Sequence, residues 1–565
     1  MMLRSFAFLV LASGSALFAQ QTAGTLIGSV TDVSGAVIPS AAIKIVNLAT
    51  NSVREAVTDG SGNYTVSFLP AGDYSLTLTV KGFQSQKIAS MNLQVQQTLR
   101  QDFQIKVGDV SESISVDASA AVLQTDNAVV GTVIDAAKVV QLPLNGRNFI
   151  QLAQLIPGVQ AGTPGSITVR RGRGSIGQQS SAFGETGMSA NGARDTANRY
   201  FLDGIEFMDY DAMTFSFSPS IDSLSEFKVE TSSYGAESGG APGGQVNLIT
   251  KRGTNQYHGT LWLFNRNDAL TQTYDAIAQK DAVNPRLNRN QYGANIGGPV
   301  SIPKLYTGKD KTFFFFNWES GRLLSAANPG LRIVATEAQR AGDFRGLLNA
   351  STRAPITLKD PLNIGIINNM IPVSRLSSQA QTFIKFTPLP NTLQGVNNFI
   401  SARPTGLSQQ DTYTTRIDHT FSQKDTIFAR YIFNDTFEAG APFWGNDQRD
   451  NVGSARTLSG NWVHSFTPTL LNDFKGGTAS FAEFETFGTS NLPDFDIANK
   501  MGLPLVSKLP KEYGPPSVSI SGADGGYSVF DLQRQIGPRD RSNSILQFTD
   551  TLSWQKGQVL GAFMP

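Results

Sequence analysis

Apolar and polar residues alternate one by one along large parts of the chain, which is the period of a β-strand. Between residues 411 and 421, one face of such a strand carries Tyr413, Thr415, Ile417, His419 and Phe421. After a polar turn at residues 422–425, the face of a return strand is formed by Ile427, Ala429, Tyr431 and Phe433. The pattern predicts antiparallel hairpins after residue 251, with long loops at residues 326–412 and 483–542.

A second β pattern fills residues 22–107. Its apolar runs are separated by Asp-Gly, Ser-Gly and Pro-Ala-Gly turns. Within it, Tyr74, Leu76, Leu78 and Val80 alternate with polar residues, as in a sheet that buries one face. This spacing predicts a small antiparallel sandwich.

The region between these two β patterns also contains helical signals. Asp135 is positioned to cap a short helix that runs to Gln141 and stops at Leu142-Pro143. In the next segment, one helical side before a Pro-Gly stop is formed by Phe149, Leu152, Leu155 and Ile156. The region between the two β patterns is therefore expected to form an α+β unit, and the chain as a whole is predicted to be mainly β.

Composition narrows the class of partners. The formal net charge is only +1 and charged residues make up 16% of the chain, so no global field favours nucleic acid. The basic run at residues 170–174 is interpreted as a loop, and no nucleic-acid partner is predicted. The absence of cysteine removes disulfides, thiolate metal sites and thiol nucleophiles.

The amino-terminal residues indicate export. Residues 1–19 combine one arginine, a short apolar core and a small residue at the cleavage position after Ala19, which is typical of a secretory signal peptide. No later run of apolar residues is long enough for a transmembrane helix. An exported chain of this kind enters a membrane only as a β-barrel.

Candidate catalytic groups are sparse. The three histidines, His258, His419 and His464, are far apart in sequence and are interpreted as residues on strand surfaces. Serine-hydrolase and phosphate-loop motifs are absent from the sequence. A cluster of carboxylates is interpreted as a solvated loop in preference to an acid pair or metal site: Asp203, Glu206, Asp209 and Asp211. No enzyme activity, no metal and no cofactor are predicted.

Several motifs resemble known families. The run Asp59-Gly60-x-Gly62-x-Tyr64 and the Leu69-Pro70-x-Gly72-x-Tyr74 run resemble the carboxypeptidase regulatory-like domain, which has a prealbumin-like, carbohydrate-binding-like sandwich. The segment LPLNGRNF at residues 142–149, followed by residues 155–159, resembles the plug of TonB-dependent outer-membrane receptors of the Oar-like branch. Residues 189–194 and 200–205 are similar to central strands of that plug, and residues 234–267 to its junction with the first barrel strand.

The resemblance implies an order of domains. The implied domains are, in order, a signal peptide at 1–19, a carboxypeptidase regulatory-like sandwich at 22–107, a linker at 108–119, a plug at 120–250 and part of a transmembrane antiparallel β-barrel at 251–565. Within the linker, a degenerate TonB box is indicated at Glu112, Ser113, Ile114, Ser115, Val116, Asp117 and Ala118. A TonB box adds a strand to the sheet of its partner, so backbone groups supply most of the affinity. The alternative is that these residues form the last strand or linker of the sandwich.

By this resemblance, the expected function is active uptake of an exogenous ligand across the outer membrane, with the inner-membrane TonB complex and outer-membrane lipid as partners. Oligosaccharides and iron chelates are both ligand classes of the wider family. The alternative function is a secreted or periplasmic β protein that binds carbohydrate or protein. Residues 251–565 are too few for a 22-stranded family barrel, so a truncated copy is also expected.

Overall fold

The computed structural model describes most of the chain from residue 23 onward. The described residues are 23–108, 113–116, 130–142, 144, 146–161, 187–210, 213–232, 242–270, 286–325, 331–332, 334–348, 354–360, 362, 368–392, 398–400, 406–439, 449–504, 506–514, 518–521, 528–532, 539–556 and 559–563. The predicted signal peptide and the basic run at 170–174 lie outside them. None of the described helices has the length and apolar character needed to cross a membrane.

The first unit is a sandwich of two sheets. Its strands are β1 Gly24–Asp32, β2 Ala42–Asn47, β3 Val53–Val57, β4 Asn63–Leu69, β5 Gly72–Thr79, β6 Ser85–Leu93, β7 Thr98–Arg100, β8 Phe103–Ile105 and β9 Ser113–Val116. One sheet has the order β4-β1-β7, with β8 also on β1, and the other has the order β3-β2-β5-β6-β9. The predicted alternation is confirmed, because Tyr74, Leu76 and Leu78 are all buried in the core between the sheets.

The second unit, which we call the central domain, covers the described residues between 130 and 250. Its elements in chain order are β10 Val130–Ile134, α1 Ala136–Gln141, α2 Ile150–Ala153, β11 Val159–Ala161, β12 Met188–Ala190, β13 Arg199–Leu202, β14 Ile205–Glu206, β15 Met208–Asp209, β16 Thr214–Phe215, β17 Leu224–Ser232 and β18 Gln245–Thr250. The main sheet has the order β10-β17-β18-β13-β14. Tilted and edge-on aromatic contacts fill the core, with the Phe149 and Phe215 ring centroids 5.1 Å apart.

Both predicted helices of the central domain exist, but one is shorter than expected. The carboxylate of Asp135 accepts a hydrogen bond from the Lys138 backbone N–H at 2.9 Å, so the predicted cap and the helix to Gln141 are confirmed. Helix α2 is a single turn. Phe149 and Leu152 are buried as expected, whereas Leu155 is 59% exposed because the helix ends before the chain reaches it.

The third unit is one large antiparallel sheet. The strands after residue 257 are β19 His258–Asn267, β20 Leu287–Pro299, β21 Ser301–Ile302, β22 Tyr306–Thr307, β23 Thr312–Ser325, β24 Leu331–Arg332, β25 Phe399–Ile400, β26 Gly406–Thr420, β27 Asp425–Ala439, β28 Arg449–Thr467, β29 Leu470–Phe487, β30 Val518–Ser521, β31 Ser528–Leu532, β32 Arg539–Lys556 and β33 Val559–Phe563. Nine of them follow one another as neighbours in the order β19-β20-β23-β26-β27-β28-β29-β32-β33. We call these nine strands the large sheet.

The two faces of the large sheet differ in polarity. Large apolar side chains such as Leu261 and Leu263, which are 84% and 69% exposed, lie on the outward face. On the other face, Asn317, Thr414 and Asn434 are fully buried, and we call this the inner face. The alternation predicted for residues 411–433 is therefore confirmed, with Tyr413 and Tyr431 directed outward.

The connections define two ends of the large sheet. At one end, the short-turn end, they span residues 300–311, 421–424 and 468–469. At the other, the long-loop end, they span 268–286, 326–405, 440–448 and 488–538 and include helices α3 Glu337–Arg340, α4 Ser378–Ile384 and α5 Ile497–Lys500. The predicted loops at 326–412 and 483–542 were too long, because β26, β29 and β32 extend into them by pairing with their neighbours.

The chain passes from the central domain into the large sheet after residue 250. Strand β18 ends at Thr250, and β19 begins the large sheet at His258. Gly253 lies so close to the large sheet that a Cβ atom there would be 2.3 Å from the Phe314 carbonyl oxygen. Only glycine permits this approach of backbone to backbone. The glycine-rich residues 234–241, which the sequence places before this junction, lie outside the described residues.

Candidate functional site between the central domain and the large sheet

The central domain packs on the inner face of the large sheet. Ile432, Ala455 and Ala479 of the sheet belong to the same apolar cluster as the core of the central domain. Small side chains let the two backbones approach closely, as at Gly477, where a Cβ atom would be 2.8 Å from the Ile205 side chain. The interface is therefore a continuous core.

A buried ion cluster joins the two units at Asp203, and we call it the Asp203 cluster. Asp203 lies in the turn between β13 and β14, where both Asp203 and Gly204 have positive φ. Its carboxylate accepts hydrogen bonds from the Thr250 N–H at 3.0 Å and the Thr250 hydroxyl at 2.8 Å. Two guanidinium groups of the large sheet complete the cluster, Arg416 at 3.3 Å and Arg430 at 3.2 Å.

The two arginines of this cluster are not equivalent. Arg416 also pairs with Asp418 at 2.8 Å and stacks on the Phe428 ring at 4.1 Å. Arg430 pairs with Asp203, and its side chain is only 1% exposed. Because a buried charge without its partner is costly, the position of Arg430 depends on the central domain remaining in place.

A second ion cluster surrounds Arg147, in the segment that follows α1. Its guanidinium pairs with Asp222 of the central domain and lies 3.8 Å from Glu319 of β23. Glu319 accepts a further hydrogen bond from the Ser220 hydroxyl at 2.9 Å. The same guanidinium stacks over Phe264 of β19 at 4.2 Å. This cluster ties the central domain to the first strands of the large sheet.

A third cluster lies on the last long strand. Arg541 of β32 pairs with Glu483 of β29 and lies 3.4 Å from Asp209 of the central domain. Asn543 donates a hydrogen bond to the other Asp209 oxygen at 3.0 Å. Polar contacts therefore join the central domain to strands from β23 to β32 of the large sheet.

The interpretation of the acidic group as a solvated loop was wrong for three of its four residues. Asp203, Glu206 and Asp209 are 3%, 8% and 0% exposed. Arginines distant in sequence offset the cost of burying Asp203 and Asp209, whereas Glu206 lies 3.6 Å from the nearby Arg199. Asp211 lies outside the described residues. Sequence reasoning also gave no role to Arg416 and Arg430, although a charged residue in the middle of a long strand was a usable signal.

The sandwich covers the short-turn end. Arg54 donates hydrogen bonds to the Gln423 carbonyl at 2.8 Å and the Ser465 hydroxyl at 2.9 Å, both in or beside short turns of the large sheet. Phe68 forms a small apolar cluster with Val463 and Leu471. A cavity of about 170 Å³ remains where the sandwich, the central domain and the large sheet meet.

The sandwich also contacts the central domain. Asn247 donates a hydrogen bond to the Gln96 side chain at 3.2 Å, and Arg252, just after the central domain, donates one to the Ala71 carbonyl at 3.2 Å. Glu226 of β17 is buried near Val95, and burial raises the pKa of its carboxyl to about 7 against a reference value of 4.5, with nearby Asp135 adding to the rise. Between these values the folded state holds a proton that the unfolded state has lost, so this carboxyl weakens folding as pH rises toward 7.

The candidate TonB box is only partly described. Its residues 113–116 form β9, which pairs in parallel with β6 of the sandwich from Ser85 to Ile88. Glu112, Asp117 and Ala118 lie outside the described residues. β9 is thus the edge strand of a sandwich sheet, which agrees with the alternative that these residues close the sandwich. A strand at an edge also retains one open side for pairing.

The histidines lie on strands, as expected, and contact different partners. His464 Nδ1 is 2.7 Å from Asp425, and His419 Nδ1 is 2.7 Å from the Thr312 hydroxyl. Within the described ranges, no group of three or more His, Cys, Asp or Glu is arranged to hold a metal ion.

The class of protein follows from this architecture and from comparison with known families. Residues 249–559 match the outer membrane beta barrel domain, and residues 25–106 match the carboxypeptidase regulatory-like domain. The first match covers more than half of the chain, so the chain belongs to the outer membrane β-barrel domain family. Membership of this family locates the protein in the outer membrane.

The predicted resemblance to the Oar-like branch is confirmed. Over 317 residues the chain is 26% identical to the TonB-dependent transporter Oar of Myxococcus xanthus, an alignment that covers 54% of this chain and 27% of that protein. The chain thus spans 27% of the length of the curated relative. A barrel family and a relative that is a transporter agree with the prediction that the chain is not an enzyme.

Solved structures that this chain resembles include an outer membrane transporter and a siderophore receptor. The outer membrane transporter YddB from Escherichia coli is 13% identical with a TM-score of 0.44, covering 76% of this chain and 46% of that one. The siderophore receptor PirA from Acinetobacter baumannii is 14% identical with a TM-score of 0.33, covering 75% and 54%.

Proposed function

We propose that the chain is part of a TonB-dependent outer-membrane receptor that actively takes up an exogenous ligand. The observation that carries this proposal is the Asp203 cluster, in which a carboxylate of the central domain holds two buried arginines of the barrel sheet. A domain held inside a barrel by such pairs blocks passage until they separate. Separation exposes Arg430 without its partner, so an energy source is required.

The domain bounds proposed from the sequence fit this function. They are a carboxypeptidase regulatory-like sandwich at 22–107, a linker with the box at 108–119, a plug at 120–250 and a barrel portion from 251. In this proposal the central domain is the plug. The apolar outward face, with Leu261 and Leu263, contacts outer-membrane lipid.

The same proposal gives the sheet an orientation. Barrels of the outer membrane have short turns on the periplasmic side and longer loops outside. The sandwich, which contacts the short turns through Arg54, then lies in the periplasm. The ligand arrives from the long-loop end, and the TonB complex of the inner membrane acts from the end where the sandwich lies.

Residues 112–118 are proposed as the segment that TonB captures. Strand addition uses backbone groups, and the open side of β9 offers them without removing β9 from β6. The alternative function, a secreted or periplasmic binding protein, does not account for the long barrel strands with an apolar outward face.

A pull-down with a matched pair of substitutions tests the proposal. The full chain is extracted from outer membranes in detergent and mixed with the periplasmic domain of TonB from the same cells. We expect wild type and Ile114→Ala to retain TonB, and Ile114→Pro to lose it, because proline removes a backbone donor and restricts the strand. Equal retention by all three proteins, or by none, would rule out strand addition at this segment.

A further inference from the structure

The connection between β20 and β23 is the longest of the three at the short-turn end. It spans residues 300–311, whereas the other two span 421–424 and 468–469. Its two short strands, β21 and β22, pair with each other as a hairpin that forms a small sheet of its own. We call residues 300–311 the lysine hairpin, because Lys304, Lys309 and Lys311 lie in it.

The base of the lysine hairpin is fixed to the rest of the protein. The Gly308 N–H donates a hydrogen bond to the Val300 carbonyl at 2.8 Å, and a Cβ atom at Gly308 would lie 2.5 Å from that oxygen. Asp310, the only acidic residue of the hairpin, accepts hydrogen bonds from Asn51 of the sandwich at 2.9 Å and from Asn255 at 2.6 Å. The hairpin is therefore held in place at its base, and its carboxylate is occupied by amide groups.

The tip of the lysine hairpin lies on the same side as the apolar outward face of the large sheet. The Tyr306 hydroxyl is hydrogen-bonded to the Thr312 hydroxyl, which lies 2.7 Å from His419 Nδ1 on the outward face of β26. Ile302 is the cross-strand partner of Tyr306, so their side chains share one side of the hairpin. Both are exposed, and Leu305 in the turn between them is 80% exposed. The apolar outward surface of the sheet thus continues onto the hairpin.

Cations accompany this apolar tip. All three lysines of the hairpin are exposed, and within the part of the chain that the structure describes none of them pairs with a carboxylate. The next turn of the sheet repeats the arrangement, with Phe421 at 65% exposure followed by the exposed Lys424. The two turns are adjacent, because the Thr420 N–H donates a hydrogen bond to the Lys311 carbonyl at 2.8 Å. Apolar side chains beside lysines are typical of the boundary of a bilayer, where ammonium groups reach the headgroups.

The partner that fits this surface is a negatively charged lipid bilayer. A soluble anion would neutralise the lysines but leave Leu305 and Ile302 in water, and a bilayer without net charge would gain little from three lysines. We propose that the lysine hairpin binds the headgroups of anionic phospholipids in the leaflet at the short-turn end, with Leu305 inserted among the acyl chains. Continuity with the outward face of the barrel sheet favours lipid over an acidic protein. Since Asp310 joins the hairpin to the sandwich, the same contact holds the sandwich close to the membrane.

Lipid retention by the full chain tests the choice of headgroup. The chain is mixed in detergent with equal amounts of phosphatidylglycerol and phosphatidylcholine and captured by an affinity tag, and the bound phospholipids are quantified. We expect phosphatidylglycerol to be enriched on the wild type. The triple variant Lys304→Gln, Lys309→Gln and Lys311→Gln should reduce that enrichment about tenfold or more, and high ionic strength should reduce it on the wild type.

The matched control is a triple variant of exposed lysines at the long-loop end, Lys359→Gln, Lys508→Gln and Lys511→Gln. It removes the same charge and should leave the enrichment unchanged. Circular dichroism and the melting temperature identify any variant that fails to fold. Equal retention of the two lipids by the wild type, or equal loss of enrichment in the two triple variants, would overturn the proposal.

A second measurement follows the tip and leaves every lysine in place. Because the chain lacks cysteine, Leu305→Cys and Val373→Cys each provide a single site for a fluorophore. Val373 is 64% exposed at the long-loop end. In nanodiscs of phosphatidylglycerol with brominated acyl chains, we expect quenching at position 305 and none at position 373. Absence of quenching at position 305 would overturn insertion of the tip. Neither experiment involves TonB, so the proposed uptake function is judged separately by the pull-down.

Discussion

Asp203→Asn should loosen the central domain more than any other single isosteric change in the described interface. The substitution keeps the size of the side chain and removes its charge. Arg416 retains Asp418 at 2.8 Å, whereas Arg430, with its side chain 1% exposed, loses the carboxylate with which it pairs. Breaking a buried pair in this way costs about 3–5 kcal/mol.

The double variant Asp203→Asn with Arg430→Met separates the charge from the packing. Methionine fills much of the space of the arginine stem and leaves no buried cation. The double variant should therefore be more stable than the sum of the single variants by about 2 kcal/mol. The control is Asp343→Asn. Because the side chain of its partner Arg345 is 62% exposed, this substitution should change the free energy of unfolding by less than about 1 kcal/mol.

The chain offers a specific assay because it has no cysteine. Ala190, which is buried in the central domain at 1% exposure, is changed to cysteine as a background for all variants. The rate of thiol labelling is then measured against urea concentration. We expect Asp203→Asn to lower the labelling midpoint by about 1 M or more. A midpoint equal to that of the Asp343→Asn control would refute the claim that this carboxylate holds the domain in place.

Three further substitutions have defined outcomes, the first of them in the same labelled background. Glu226→Gln should flatten the pH dependence of the labelling midpoint between pH 4.5 and 7, because its carboxyl is protonated in the folded state over this window; an unchanged slope would exclude this carboxyl as its source. Arg54→Ala should increase proteolysis of the sandwich at the short-turn end, since two hydrogen bonds to the large sheet are lost; Lys87→Ala on β6 is the control, and equal cleavage would contradict the contact. Gly28→Ala should prevent the sandwich from closing, because the new Cβ atom would lie 1.8 Å from the Gln101 carbonyl oxygen; a folded sandwich by circular dichroism would contradict this.

Local features of the fold were accessible from the sequence because their causes are local. The alternation from Tyr74 to Leu78 and the cap at Asp135 depend on neighbours within a few residues. The antiparallel strands after residue 257 were predicted from the same local alternation of apolar and polar residues. Strand ends were predicted less well, because β26 and β29 extend by pairing with neighbouring strands, and the length of that pairing is not a local property of the sequence.

The candidate site was less accessible because its parts come together only in three dimensions. Asp203 and Arg416 are 213 positions apart, and no periodic pattern connects them. The carboxylates near residue 203 therefore suggested solvated groups, whereas the fold buries Asp203 beside two cations.

The most direct test of the central claim is a crosslink in living cells. Ser115→Cys provides the single thiol of the chain, and a cysteine is introduced on the edge strand of the TonB periplasmic domain. We predict a disulfide-linked complex in the outer-membrane fraction that forms with Ser115→Cys and not with the control Ser408→Cys, a buried position in the large sheet. Absence of that complex, with both proteins present and oxidised, would contradict the assignment of this chain to TonB-dependent uptake.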